Sequence, residues 1–178
     1  MITQDSLLSL VERAGSADPD AWEALYRRAY PSLLAYASRR LGGDRARDAV
    51  AETMARAVAK ITMFRWQGGG FDAWLYGILR HVVIDAQRAH ARESRRRVPA
   101  AGSFASPLDF VLEGEEAEAV RDAFAALLPG DQEVLELRVV AGLSAEEVGV
   151  VLGKRPGAVR MAQSRALAQL RRELERQL

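Results

Sequence analysis

The chain has 178 residues, 49% of them hydrophobic and 28% charged, a balance that suits one ordinary soluble domain or two small ones. It holds no cysteine, which excludes disulfides, thiol catalysis and every cysteine-ligated zinc or iron–sulfur site; its two histidines, His81 and His90, do not make a histidine-rich metal site. The net charge of +1 says little, but residues 80–97 carry six arginines against two acids, 109–122 six acids against one arginine, and 154–178 seven basic residues against two acids. Two basic blocks flanking an acidic one predict interaction surfaces, with solvated helix faces as the plainer alternative. No stretch approaches the roughly 18 consecutive apolar residues of a membrane span. The N-terminus lacks the basic start and apolar run of a secretory signal, so a cytoplasmic protein with no membrane insertion is expected.

The periodicity is helical almost throughout, and no alternation bounded by turn signals argues for a sheet. From Pro19 to Leu41 apolar residues recur at Trp22, Leu25, Tyr26, Ala29, Leu33, Leu34, Ala37 and Leu41, the spacing of an amphipathic helix. Pro31 predicts a kink or a division in it, and Gly42 and Gly43 an end. Ala46, Ala49, Val50, Thr53, Met54, Ala57, Val58 and Ile61 predict a second stripe. The loop "FRWQGGGF" follows, and then Trp74, Leu75, Ile78, Leu79, Val82 and Ala86 predict a third. Residues 92–114, rich in Arg, Ser, Pro and Gly, have no sustained apolar period and read as an extended linker. Helix returns over 119–128 and 132–140. The expected architecture is all-α: two small helical domains, residues 1–91 and 118–178, joined by a flexible linker over 92–117.

The closing stretch "LSAEEVGVVLGKRPGAVRMAQSRALAQLRREL" is the most informative. Ser144 and Glu147 have the spacing of a capping box, with Leu143 and Val148 at the staple positions around it. Gly153 suits the left-handed end of that helix, and Pro156 the first position of the next. Val159, Ala162, Ala166 and Leu170 form the buried stripe of the second helix, which leaves Arg160, Gln163, Ser164 and Arg165 off it. Two helices joined so tightly match a helix-turn-helix, whose second helix enters the major groove in DNA-binding versions. Arg155, Arg160 and Arg165 suit phosphates or guanine edges, and Met161 and Ser164 share their exposed side. A structural hairpin with a basic outer face is the alternative.

Four segments extend this reading to the whole chain: "AWEALYRRAYPSLLAYASRRLG", "ARDAVAETMARAVAKI", "FRWQGGGFDAWLYGILRHVVIDAQR" and "LPGDQEVLELRVVAGLSAEEVGVVLGKRPGAVRMAQSRALAQLR". In this order, with a linker between, they resemble the small two-domain extracytoplasmic-function branch of the bacterial sigma-70 family. The match covers roughly residues 20–90 and 127–172. The resemblance implies a subunit that binds core RNA polymerase, directs it to promoters and helps open the duplex. It implies no catalysis of its own and no cofactor.

The resemblance also assigns residues. The second helix, with Asp48 and Glu52, is similar to the surface that docks on the clamp helices of the largest polymerase subunit; the resemblance also implies a contact with the flap region of the polymerase. The glycine loop and the helix after it resemble the reader of the minus-ten element, with Phe64, Arg65, Trp66 and Gln67 as its pocket and Arg80, His81 and Arg88 along the DNA. Aromatic side chains there would stack on unpaired bases. Phe64 fits either the pocket or the core, Trp66 fits the pocket better, and Trp74 and Leu75 belong to the core. His81 stands where the family often has Asn. The helix-turn-helix would read the minus-thirty-five element through Arg155, Arg160, Met161, Ser164 and Arg165. Arg155 and Pro156 replace a small polar or acidic pair common in the family, and Arg155 is expected to face a phosphate. The acidic stretch would mimic nucleic-acid charge in a polymerase channel, and an anti-sigma protein is an implied partner.

Two other readings compete. An ordinary repressor or activator would use the same helix-turn-helix but has no need of "FRWQGGGFDAWLYGILRH". An enzyme would have only the i, i+4 carboxylates Asp48 and Glu52, without a ligating histidine, a phosphate-binding glycine loop or a nucleophile motif.

Overall fold

A computed structural model of the chain describes residues 4–66, 69–94 and 115–177. Among them there are only helices and turns. α1 (Gln4–Gly15), α2 (Pro19–Leu41), α3 (Gly43–Lys60), a 3₁₀ turn (Ile61–Met63) and α4 (Gly70–Ser94) build the N-terminal domain. α5 (Glu115–Ala125), α6 (Pro129–Leu135) with a π turn (Glu136–Val140), α7 (Ala145–Leu152) and α8 (Pro156–Gln177) build the C-terminal domain.

Each helix boundary has a local cause. Asp18 caps α2 by accepting from Asp20 N at 3.0 Å and Ala21 N at 3.3 Å. Arg13 donates to the Asp18 carboxylate at 2.7 Å, and that bond, aided by the Ala21 amide, holds its carboxyl below the usual value. α2 runs unbroken past Pro31, so the expected division is absent. Gly42, at φ 75°, then turns the chain directly into α3. α4 continues to Ser94, beyond the expected start of the linker. α5 stops at Ala125 rather than at 128, because Leu128 precedes Pro129 and takes the extended conformation a proline imposes (φ −60°, ψ 143°).

The apolar stripes meet as expected in the first domain. Leu25, Leu33, Val50, Leu75 and Leu79 are fully buried between α2, α3 and α4. Val58, expected in the stripe of α3, is 51% exposed. α1 was not anticipated; its Leu7, Val11 and Ala14 are buried, and Trp22 Nε1 donates to Ala14 O at 3.1 Å to tie it to α2. Arg28 grips Asp72 with two 2.6 Å bonds and fixes α2 against the start of α4. In the second domain α6, α7 and α8 pack around Val134, Leu137, Val148 and Val159, with a smaller cluster of Phe124, Leu127, Leu135 and Ala166 behind.

The domains are packed against each other. α4 lies along α7, and one apolar core runs from α2 and α4 into α7 and α8. At position 69 an added Cβ would sit 3.5 Å from the Val150 side chain and 2.7 Å from Ala73, so glycine permits that approach.

Candidate nucleic-acid interface

In the helix-turn-helix, the first helix starts as a closed capping box: Glu147 N donates to Ser144 Oγ at 3.1 Å and Ser144 N to Glu147 Oε2 at 2.6 Å. Leu143 and Val148 are buried beside it, as the staple requires. Gly153 adopts φ 64° and ends α7, and α8 begins at Pro156. The turn is so tight that a Cβ on Gly149 would meet Lys154 O at 2.6 Å. Val159, Ala162 and Ala166 face inward, while Arg155, Arg160, Met161, Ser164 and Arg165 are exposed. Arg160 donates to Glu146 at 2.9 Å, and Arg165 lies 3.8 Å from Asp131. Gln163 differs from expectation: it is half-buried and accepts from Arg138 Nε at 2.9 Å, so it is committed to the fold. The same arginine donates to Leu143 O and so braces the turn from beneath.

The glycine loop leads into an aromatic cluster. The Phe64 ring stands 5.1 Å from Trp74, 5.4 Å from Trp66 and 5.9 Å from Phe71. Phe64 is half-buried against the core, whereas Trp66 caps the cluster with 40% of its surface exposed. Gly70 (φ 62°) lies under the Trp66 ring, where an added Cβ would sit 3.4 Å from it. Arg65 is exposed and folds back on Thr62 O and Phe64 O at 2.9 and 2.8 Å. Gln67 lies outside the described residues. On α4, His81 and Arg88 are exposed, and His81 Nδ1 donates to Gly77 O at 2.7 Å. Trp74 is half-buried, Leu75 is fully buried, and Tyr76 is buried with its hydroxyl unpaired beside Ser32. Burial also raises the Tyr76 phenol well above its usual value.

Asp48 and Glu52 are exposed on α3 and line a groove of about 340 Å³ between α3 and α4. Glu52 accepts from Arg56 Nε at 2.7 Å. Among the described residues no group of three His, Asp or Glu is placed to hold a metal, and no helix is long and apolar enough to cross a membrane.

Arg80, expected along DNA, is half-buried and meets the C-terminal domain. Its Nε lies 3.2 Å from Glu133 Oε1, which also accepts from the Tyr36 hydroxyl at 2.7 Å. Beside it Arg40 donates to Glu136 Oε2 at 2.6 Å, and Arg39 Nε lies 3.0 Å from Glu136 Oε1 as an ion contact without hydrogen-bond alignment. Arg39 also covers the Phe124 ring at 4.1 Å. Burial raises the Glu136 carboxyl above its usual value against the pull of Arg40 and Arg39, and burial likewise lowers Arg39. Nothing local in the sequence marks Arg39, Arg40, Glu133 or Glu136; their pairing spans some 96 residues of chain.

Comparison with known proteins places this geometry. Residues 25–93 match Sigma-70 region 2, and residues 117–170 match Sigma-70, region 4. The chain belongs to the sigma-70 family. Within it the relatives are of the extracytoplasmic-function (ECF) type. The chain is 37% identical to ECF RNA polymerase sigma factor BldN of Streptomyces coelicolor over 94% of its own length and 66% of that protein's. It is 36% identical to ECF RNA polymerase sigma factor ShbA of Streptomyces griseus over 92% of each chain. Its fold resembles that of CnrH, solved in complex with the cytosolic domain of CnrY, with a TM-score of 0.67 and 25% identity over 93% of this chain and 95% of that one. In this ECF sigma factor the region 2 match covers the aromatic loop, α3 and α4, and the region 4 match covers the helix-turn-helix. The independent-regulator reading falls with that assignment, since the chain carries both regions.

Proposed function

We propose that this sigma factor recruits core RNA polymerase through the α3–α4 groove, reads a minus-ten element with the aromatic loop and α4, and reads a minus-thirty-five element with α8. The observation that carries the reading is the pattern of exposure. Trp66, Arg65, His81 and Arg88 on one domain, and Arg155, Arg160, Ser164 and Arg165 on the other, are polar, aromatic or cationic groups held outward by buried neighbours, with the exposed apolar Met161 among them. Trp66 keeps 40% of its surface exposed, which an unpaired base could cover by stacking. Gln67 belongs to the same proposed pocket. Asp48 and Glu52 supply negative charge to the docking groove, which sets orientation and encounter rate on a basic partner surface. Residues 1–91 and 118–178 act as the two reading domains. The chemistry is the polymerase's; the sigma factor supplies binding and strand separation without catalysis, in the cytoplasm where the polymerase works. A protein inhibitor is a further partner, by analogy with CnrH and the cytosolic domain of CnrY.

The test is run-off transcription with purified chain, bacterial core polymerase and fragmented genomic DNA. Discrete starts that require the chain and share two upstream motifs are expected. Absence of starts together with absence of a complex with core polymerase would overturn the reading.

A further inference from the structure

Arg39 and Arg40 close α2, and Arg80 stands on the neighbouring turn of α4. Among the described residues, the carboxylates that meet these three guanidinium groups all belong to the other domain: Glu133 at 3.2 Å from Arg80 and 4.0 Å from Arg40, and Glu136 at 2.6 Å from Arg40 and 3.0 Å from Arg39. The N-terminal domain nevertheless holds Arg40 in place by itself. Its guanidinium lies 3.7 Å over the Tyr36 ring and donates to Tyr36 O at 2.9 Å, while Gln87 Nε2 donates to Arg40 O at 3.4 Å. A cleft of about 450 Å³ opens beside the three arginines. A fork of fixed guanidinium donors receives carboxylate and phosphate with the same geometry. Parting the domains would leave three cations converging on one spot without a counter-charge. Arg80 sits on α4, the helix that carries His81 and Arg88, and opens on its α2 side while His81 opens on its α3 side, so the spot adjoins the proposed minus-ten helix from the flank.

We propose that Arg39, Arg40 and Arg80 form a phosphate-binding site for promoter DNA that extends the minus-ten interface onto the end of α2, and that Glu133 and Glu136 occupy it as phosphate surrogates while the domains are together. The inference rests on the proposed minus-ten role of α4. It adds two residues of α2 to that interface and makes the closed arrangement a competitor of DNA. Both effects have separate readouts.

The first readout is the affinity of reconstituted holoenzyme, at saturating core polymerase, for a promoter fragment found by run-off, as a function of salt. Arg39→Gln/Arg40→Gln should weaken binding about tenfold and make the salt slope shallower by about two, near 0.9 per lost phosphate contact. Arg27→Gln/Arg47→Gln, which removes equal charge from exposed sites, should stay within about twofold. The second readout is binding of a labelled 20-nucleotide deoxythymidine strand by the whole chain without polymerase. Glu133→Gln should tighten it about threefold and steepen its slope by about 0.7. Glu23→Gln, an exposed carboxylate on the same domain as the arginines, should leave it unchanged. Thermal melting checks that each variant is folded; Glu133→Ala substitutes if Glu133→Gln is not. Arginine variants no worse than their controls, or a strand affinity unmoved in both Glu133 variants, would overturn the proposal. A gain in affinity for core polymerase without a gain for DNA would also overturn it, by assigning the arginines to a protein surface. Wild-type chain that gives no promoter complex at all would instead remove the reading beneath it, and the strand assay would still decide the masking.

Discussion

A methyl group on Gly149 would sit 2.6 Å from the Lys154 carbonyl oxygen, in a turn that Lys154 N already closes by donating to Gly149 O at 2.9 Å. The obstacle is backbone, which cannot swing aside. Gly149→Ala should therefore destabilise the C-terminal domain by about 1–3 kcal/mol, the usual range for overpacking, and reduce minus-thirty-five-dependent transcription more than it reduces core binding. Thermal melting and run-off assays check the two parts. Phe64 and Trp66 should separate in the same way. Trp66→Ala removes the half-exposed cap of the cluster and should lower the melting temperature less than Phe64→Ala does, while weakening strand binding by about 1–3 kcal/mol. Phe64→Ala opens the aromatic cluster and should lower stability by about 2 kcal/mol, less than the loss for a fully buried phenylalanine. The sequence left Phe64 open between core and pocket because loop residues have no periodicity; its three ring neighbours settle its packing.

Helices with chemical punctuation were legible in advance. α7 was readable to the residue, since Ser144, Glu147, Gly153 and Pro156 each have a role that depends only on near neighbours. Ser144→Ala should cost about 1 kcal/mol by leaving the Glu147 amide without its cap, measured as a shift in denaturant midpoint. α2 was equally plain from its stripe, and Pro31 proved compatible with it because packing on both sides holds the helix together. α1 was missed. Its stripe is only three residues, Leu7, Val11 and Ala14, and it acquires its meaning from the Trp22 bond, which sequence spacing does not reveal. The Arg28–Asp72 clasp escaped notice for the same reason, being 44 residues apart.

At the scale of the whole molecule the two regions and their order were legible, but their contact was not. Long-range ion pairs leave no periodic trace. Glu136 gives that contact a pH dependence. Burial raises its carboxyl above the ordinary value, so the closed arrangement binds the proton more tightly than separated domains do. Its contribution to closure is therefore fully present below the ordinary carboxylate range and is lost as pH rises through the raised value. The groups that face it are Arg39, Arg40, Glu133 and Tyr76. Energy transfer between labels on the two domains should rise as pH falls from neutral into that window, and Glu136→Gln should abolish the step. An unchanged step in that variant would assign it elsewhere.

The apolar seam between α4 and α7 has a consequence for how tightly partners are held. If polymerase engages only chains whose domains have parted, its measured affinity is the intrinsic one scaled down by the parted fraction. Each 1.4 kcal/mol by which the seam favours closure then weakens apparent binding about tenfold. A positive charge placed at Val150, whose side chain is 56% exposed yet borders Gly69 and shares a groove with Arg56 and Lys60 across the seam, should lift that penalty by repulsion. Titration of core polymerase with Val150→Lys would then give tighter binding than the wild type, an increase in affinity obtained by destabilising the unbound protein.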